Sequence, residues 1–130
     1  MTPAPALAVP TILVVDDYSD TRELLSMFLH RQGYKVVEAE SGVEGFLKAS
    51  GSPPDLIIID LALPGLDGIQ AAQRIHDTPG LSRIPIFAVS AYLTSQVEAE
   101  ARAAGCVEIF GKPFDLDSLL ETISMTLGER

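Results

Sequence analysis

The 130-residue chain has one cysteine, no tryptophan, two histidines, and only nine basic residues against eighteen acidic ones. Each scarcity removes a class of function. A lone thiol, Cys106, allows neither an intrachain disulfide nor a thiolate metal cluster, and packing in a core is its simplest role. Without a cluster of histidine and cysteine there is no zinc site to expect. A net charge of −9 repels nucleic-acid phosphates and anionic membrane surfaces and attracts cations, so DNA binding by this chain is not expected. No apolar run reaches the ~18 residues of a bilayer-spanning helix, and Met1–Pro10 lacks the charged and apolar regions of a signal peptide. A cytoplasmic location without membrane contact is therefore expected.

What is present suits one compact domain: 47% of residues are hydrophobic and 21% charged, the former grouped into short runs. Residues 1–10, rich in Pro and Ala and without periodicity, predict a flexible arm, with the domain over 11–128. Five runs rich in β-branched residues have strand length: Thr11–Val15, Lys35–Ala39, Leu56–Ile59, Ile84–Val89 and Val107–Phe110. Helical patterns follow each in turn, at Asp20–Gln32, Gly42–Ser50, Gly68–Asp77, Ser95–Ala104 and Asp115–Leu127. In the first helix Leu24, Leu25, Phe28 and Leu29 share a face while Arg22, Glu23 and Arg31 fall elsewhere. In the last, Leu116, Leu119, Leu120, Ile123 and Leu127 recur, with Asp115 placed to cap the start. Met27 and Met125 read as core filler, and His30 and His76 as surface or cap residues.

Leu56-Ile57-Ile58-Ile59 shows no polar alternation, which argues for strands buried on both faces and hence a parallel sheet between two helix layers. The fold class is α/β. Right-handed crossovers then bring the C-terminal ends of the strands to one edge.

The polar residues gather at those ends. Asp16 and Asp17 follow the first strand, Asp60 the third, Ser90 the fourth and Lys112 the fifth. One aspartate after a strand is commonly a turn-former. Three carboxylates at one edge raise each other's pKa unless a cation neutralises them, and oxygen ligands favour Mg²⁺, with Mn²⁺ or Ca²⁺ as alternatives. A carboxylate can attack phosphorus, which makes Asp60 the candidate nucleophile. Lys112 offers a point charge to a phosphoryl oxygen, and the Ser90 hydroxyl a hydrogen bond to another.

The acidic pair in Val14-Val15-Asp16-Asp17, Asp60 with Pro64 and Gly68 downstream, Ser90-Ala91 and Lys112-Pro113-Phe114 together resemble the receiver domain of response regulators in two-component signalling. The resemblance runs from about Thr11 to Leu127. It implies a flavodoxin-like (βα)5 three-layer sandwich with a parallel five-stranded sheet of order 2-1-3-4-5. It also implies that Asp60 accepts a phosphoryl group from a sensor histidine kinase or a histidine phosphotransfer protein. Asp16, Asp17, Asp60 and the Ala62 backbone carbonyl would hold Mg²⁺ (or Mn²⁺), with Ser90 and Lys112 as phosphate partners and a cis bond before Pro113. Such a domain catalyses only its own phosphorylation and dephosphorylation and is not otherwise an enzyme. Its output is a change in contacts with a downstream protein or output domain, through a Thr94-side loop shifted by Ser90. The resemblance extends to a phosphorylation-dependent dimer through the fourth helix, fifth strand and fifth helix.

Two places depart from the family pattern. Ile109 stands where receivers commonly carry an aromatic switch residue, and Phe110 beside it faces the opposite side of the sheet. Ala62 and Tyr92, two residues beyond Asp60 and Ser90, offer no acid to orient hydrolytic water, so slow dephosphorylation is expected. Tyr92 either shields the phosphate or turns outward to a partner. A competing interpretation is a degenerate receiver that docks without being phosphorylated. A haloacid-dehalogenase-type phosphatase needs a second acid two residues after the nucleophile, which Asp60-Leu61-Ala62 lacks. A flavodoxin needs a Gly- and Ser/Thr-rich phosphate cradle where this chain has the anionic Asp16-Asp17-Tyr18-Ser19-Asp20.

Overall fold

A computed structural model describes residues 9–63 and 67–128. The arm expected over residues 1–10 lies outside these except for Val9 and Pro10, as do Pro64, Gly65 and Leu66 of the loop after Asp60. Strands and helices alternate as the hydrophobic pattern predicts: β1 (Thr11–Val15), α1 (Ser19–Arg31), β2 (Lys35–Ala39), α2 (Gly42–Gly51), β3 (Leu56–Asp60), α3 (Gly68–His76), β4 (Ile86–Ser90), α4 (Ser95–Ala103), β5 (Cys106–Gly111) and α5 (Leu116–Thr126). The strands form one parallel sheet of order β2-β1-β3-β4-β5. No described helix is long and apolar enough to cross a membrane.

The apolar runs dictate this layering. Every residue of β3 and β4 is buried, because both strands are covered on two faces, whereas the edge strands β2 and β5 are half-exposed. Alternate residues serve different layers. Leu13, Val15, Ile57, Ile59, Ile86 and Ala88 pack with Ala49, Ala71, Ala72, Ile75 and Ala101 of α2, α3 and α4. Ile12, Val14, Ile58, Phe87 and Val89 pack with Leu25, Leu29, Leu119 and Ile123 of α1 and α5. Cys106 is buried, as a core thiol should be, and burial pushes its pKa up to about 11. Side-chain caps fix several helix starts: Ser41 accepts from the Glu44 N–H, Asp67 from Gln70, Thr94 from Val97 and Asp115 from Asp117. Caps of this kind are each worth about 1 kcal/mol.

Some expectations need correction. The fourth strand begins at Ile86, not Ile84, since Pro85 has no N–H for the ladder and only its carbonyl pairs, accepting from Ile57. Leu24 does not join the buried stripe of α1, which runs Arg22, Leu25, Ser26 and Leu29. Leu24 sits one residue before Leu25, about 100° round the helix, and is 63% exposed. Arg22, expected on the polar side, is buried instead because its guanidinium finds partners beneath the helix. Met27 and Met125 are exposed, pointing away from the Leu25–Leu29 and Leu119–Ile123 stripes, and fill no core. His30 and His76 are exposed, as expected.

Candidate functional site

At the C-terminal edge of the sheet, β1, β3, β4 and β5 each deliver a polar side chain at or just past the strand end. The Asp16 N–H still donates to the Ala39 carbonyl (3.1 Å), so Asp16 is held by the sheet although its side chain leaves the core. Asp60 is the last residue of β3, in register with Val89, and Ser90 follows in register with Gly111. The Lys112 N–H donates to the Ser90 carbonyl (2.8 Å), which aims the lysine back across the edge, and the Lys112–Pro113 peptide is cis.

This framework brings the expected residues together. Carboxylate oxygens of Asp16, Asp17 and Asp60 lie within 4.8 Å of one another. Lys112 Nζ donates to Asp60 Oδ2 at 2.9 Å and stands 3.5 Å from Asp16 Oδ2. The remaining oxygens are fixed by backbone: Asp60 Oδ1 accepts from the Ala62 N–H and Asp16 Oδ1 from the Tyr18 N–H, both at 2.9 Å. Ser90 Oγ accepts from the Tyr92 N–H at 3.2 Å, leaving its own O–H to donate. Asp16, Asp60 and Ser90 are buried, whereas Asp17 and Ala62 stand at the exposed rim. Below the carboxylates the cleft is lined by Val14, Ile58, Val89 and Phe114.

The electrostatics of this group are unbalanced. Two carboxylates no more than 4.8 Å apart repel by roughly 3 kcal/mol or more at an effective dielectric near 20, and among the described residues only the Lys112 ammonium pairs with any of the three, with Asp60 and Asp16. Burial raises the Asp16 pKa above its ordinary 3.8 and neighbouring Asp60 adds to that, while the Tyr18 N–H and Lys112 offset part of it. For Lys112, burial alone disfavours the charge. The hydrogen bond to Asp60 and the charges of Asp60 and Asp16 outweigh it, so its pKa is raised above 10.5. The donors facing the cleft are all oxygens, at close quarters and in excess negative charge, which suits a hard divalent cation.

Sequence reasoning missed the role of Arg22, which it placed on the polar side of its helix, and named Gly68 only as part of a motif without the close approach it makes. Arg22 lies under the acidic turn, its Nη1 donating to the Asp16 carbonyl at 2.8 Å. The available signal was a basic side chain in the first turn of a helix, where the dipole disfavours it. Gly68 brings the start of α3 against the backbone of Asp60, closer than any side chain allows. Of the two orientations open to Tyr92, the outward one is observed, at 83% exposure. Ile109 packs with the α2–α4 layer, and Phe110 faces the other layer beside Phe87 and Phe114.

Comparison with known proteins places these features. A family model described as the response regulator receiver domain matches residues 12–124. The polar-differentiation response regulator DivK of Brucella ovis is 29% identical over 119 residues, spanning 92% of this chain and 97% of its own. The chemotaxis protein CheY4 of Vibrio cholerae superposes with a TM-score of 0.87 at 28% identity, covering 92% of this chain and 99% of that one. The receiver domain of a sensor histidine kinase from Pseudomonas aeruginosa PAO1 superposes with a TM-score of 0.86 at 27% identity, covering 94% and 100%. That structure has a magnesium ion coordinated in its active site cleft.

Proposed function

Because the chain belongs to the response regulator receiver domain family, we propose that it accepts a phosphoryl group on Asp60 in the presence of Mg²⁺ and thereby changes its protein contacts. The observation that carries this is the convergence on Asp60: an ammonium at 2.9 Å and two further carboxylates whose oxygens lie within 4.8 Å. Asp16, Asp17 and Asp60 are the side chains that would hold the cation, with the Ala62 carbonyl as the expected backbone ligand. When bound, the ion neutralises the carboxylates and the oxygens of the transferring group.

The chain's own groups supply the rest. The Asp60 carboxylate attacks the phosphorus of a phosphohistidine on a sensor kinase or phosphotransfer protein. The P–N bond breaks as the P–O bond forms, and the imidazole nitrogen keeps the electron pair. Lys112 is held charged beside the acceptor oxygen and Ser90 has a hydroxyl hydrogen to give to a phosphoryl oxygen. This is positioning and charge stabilisation; the domain acts only on its own aspartate and is not otherwise an enzyme. Beside the site, an apolar cleft of about 430 Å³ between Leu24, Leu25 and the Lys112–Phe114 turn gives a donor protein somewhere to rest, and it accounts for the outward Leu24. The cytoplasm is where such donors present their phosphohistidine. The α4–β5–α5 side is the expected route to a downstream target or a dimer.

The protein incubated with Mg²⁺ and acetyl phosphate should gain one phosphoryl group by intact mass, and Asp60→Asn should gain none. Equal labelling of that variant refutes Asp60 as the acceptor, and no labelling of wild type refutes phosphorylation and favours a docking module that is never phosphorylated.

A further inference from the structure

Asp16 and Asp60 are two of the three buried charged residues among the described ones; the third is Arg22, which the mechanism above does not use. Its place is costly. Arg22 is the fourth residue of α1, near the helix end whose dipole repels a cation, and its side chain is only 10% exposed. Such a group persists only with strong partners, and it has three. Nε donates to Glu38 Oε1 at 2.9 Å, Nη2 lies 3.6 Å from Glu40 Oε1, and Nη1 donates to the buried Asp16 carbonyl at 2.8 Å. The planar guanidinium thus joins the end of β2 to the turn after β1, which a lysine with one ammonium does not reproduce.

The identity of that carbonyl matters. It belongs to the peptide linking Asp16 to Asp17, so fixing its oxygen fixes the plane from which the Asp17 side chain departs. Asp17 is exposed and makes no ion pair among the described residues, yet its carboxylate converges with those of Asp16 and Asp60. We propose that Arg22 is a positioning residue for the cation site: it locks the Asp16–Asp17 peptide against β2, so that the carboxylates converge before a cation arrives. The inference rests on the assignment of this site to Mg²⁺ and phosphoryl transfer. Left unclamped, the turn would have to be ordered by the ion itself, at the expense of affinity.

Isothermal titration of Mg²⁺ into wild type, Arg22→Ala and Arg22→Lys tests it, together with the Mg²⁺ dependence of labelling by acetyl phosphate. Arg22→Ala should weaken Mg²⁺ binding by about tenfold or more, with Arg22→Lys in between. The half-saturating Mg²⁺ concentration for labelling should rise in parallel, while the rate at saturating Mg²⁺ returns close to that of wild type. A purely structural arginine would lower the melting temperature without this split. Should Arg22→Ala fail to fold, Glu38→Gln carries the test, since it loosens the clamp at a partly exposed residue and should weaken Mg²⁺ in the same direction. Unchanged Mg²⁺ affinity in folded variants overturns the inference alone. A wild-type protein that binds no Mg²⁺ overturns the assignment of the site, a failure distinguishable from the first.

Discussion

Replacing Gly68 with alanine measures how tightly α3 is docked on the strand that carries Asp60. A Cβ at this position would lie 2.2 Å from the Asp60 carbonyl oxygen, 2.5 Å from Leu61 Cα and 2.8 Å from the Asp60 carbonyl carbon. Real Cβ atoms essentially never approach closer than 3.0 Å, and all three neighbours are backbone, which has no rotamer to retreat into. The start of α3 or the end of β3 must therefore give by about 0.8 Å, an overpacking that costs roughly 1–3 kcal/mol. Alanine's helix preference offsets at most about 1 kcal/mol, and less at a first helical position. The net loss is about 1–2 kcal/mol, which for a domain of this size lowers the melting temperature by roughly 5 °C. The displacement falls on the residue whose carboxylate must be aligned, and Gly68 also donates its N–H to the Leu61 carbonyl at 3.2 Å. A misplacement near 1 Å can cost on the order of a hundredfold in rate, so labelling by acetyl phosphate at saturating Mg²⁺ should slow by about tenfold or more. Thermal melts and intact-mass time courses read both effects. A variant that melts and labels like wild type refutes the argument, because it would mean that α3 is not held against Asp60.

Two further predictions follow from the charges. The Asp16 pKa is raised in the folded state, so the native protein holds that proton more tightly than the unfolded chain, and stability falls as pH climbs from 3.8 through the folded value. Asp16→Asn should accordingly melt higher than wild type at pH 7 with chelator present, the advantage shrinking toward pH 3.8; an equal or lower melting temperature at neutral pH contradicts this. Lys112 has a raised pKa, so its contribution is complete below 10.5 and is lost as pH rises through the higher folded value. The gap in urea midpoint between wild type and Lys112→Met should narrow above pH 10.5, and a constant gap across that range argues against the Asp60 and Asp16 contacts as its source.

The fold was legible because the signals that build it are apolar and local. Runs such as Leu56–Ile59 state their own burial, and Asp60, Ser90 and Lys112 stand at or just past the ends of strands that one topology forces to end together. Arg22 and Leu24 were misplaced for a related reason. Periodicity counts apolar residues, but an arginine with a carbonyl and a carboxylate beneath it takes a stripe position that leucine would otherwise hold. Met27 and Met125 show the same limit from the other side, since hydrophobic character does not tell which side of a helix meets the sheet. Gly68 was legible only as a motif letter. Its close approach to Asp60 depends on where α3 docks, which no local pattern encodes.

The departure at Ile109 bears on how a phosphoryl group at Asp60 could be felt elsewhere. Alternation along β5 commits Ile109 to the α2–α4 layer and Phe110 to the opposite one, where its ring stands 5.8 Å from Phe87 and 6.0 Å from Phe114. A response that needs an aromatic side chain to swing between sheet and solvent at position 109 has no ring to move, and Phe110 is held between two others. The structure does contain a shorter chain of contacts. Lys112 binds Asp60 through its side chain and the Ser90 carbonyl through its backbone, and Ser90 Oγ in turn holds the Tyr92 N–H. Leu93 follows at once, its side chain 3.5 Å from where a Cβ on Gly111 would stand, beside Lys112. A Ser90 side chain that swung its Oγ toward a phosphoryl oxygen would carry the acceptor of the Tyr92 N–H with it, and so would pull on the loop leading to the Thr94 cap of α4. The loop with the most exposed aromatic in the described structure is thus one hydrogen bond from Ser90, beside the Asp60 carboxylate pocket.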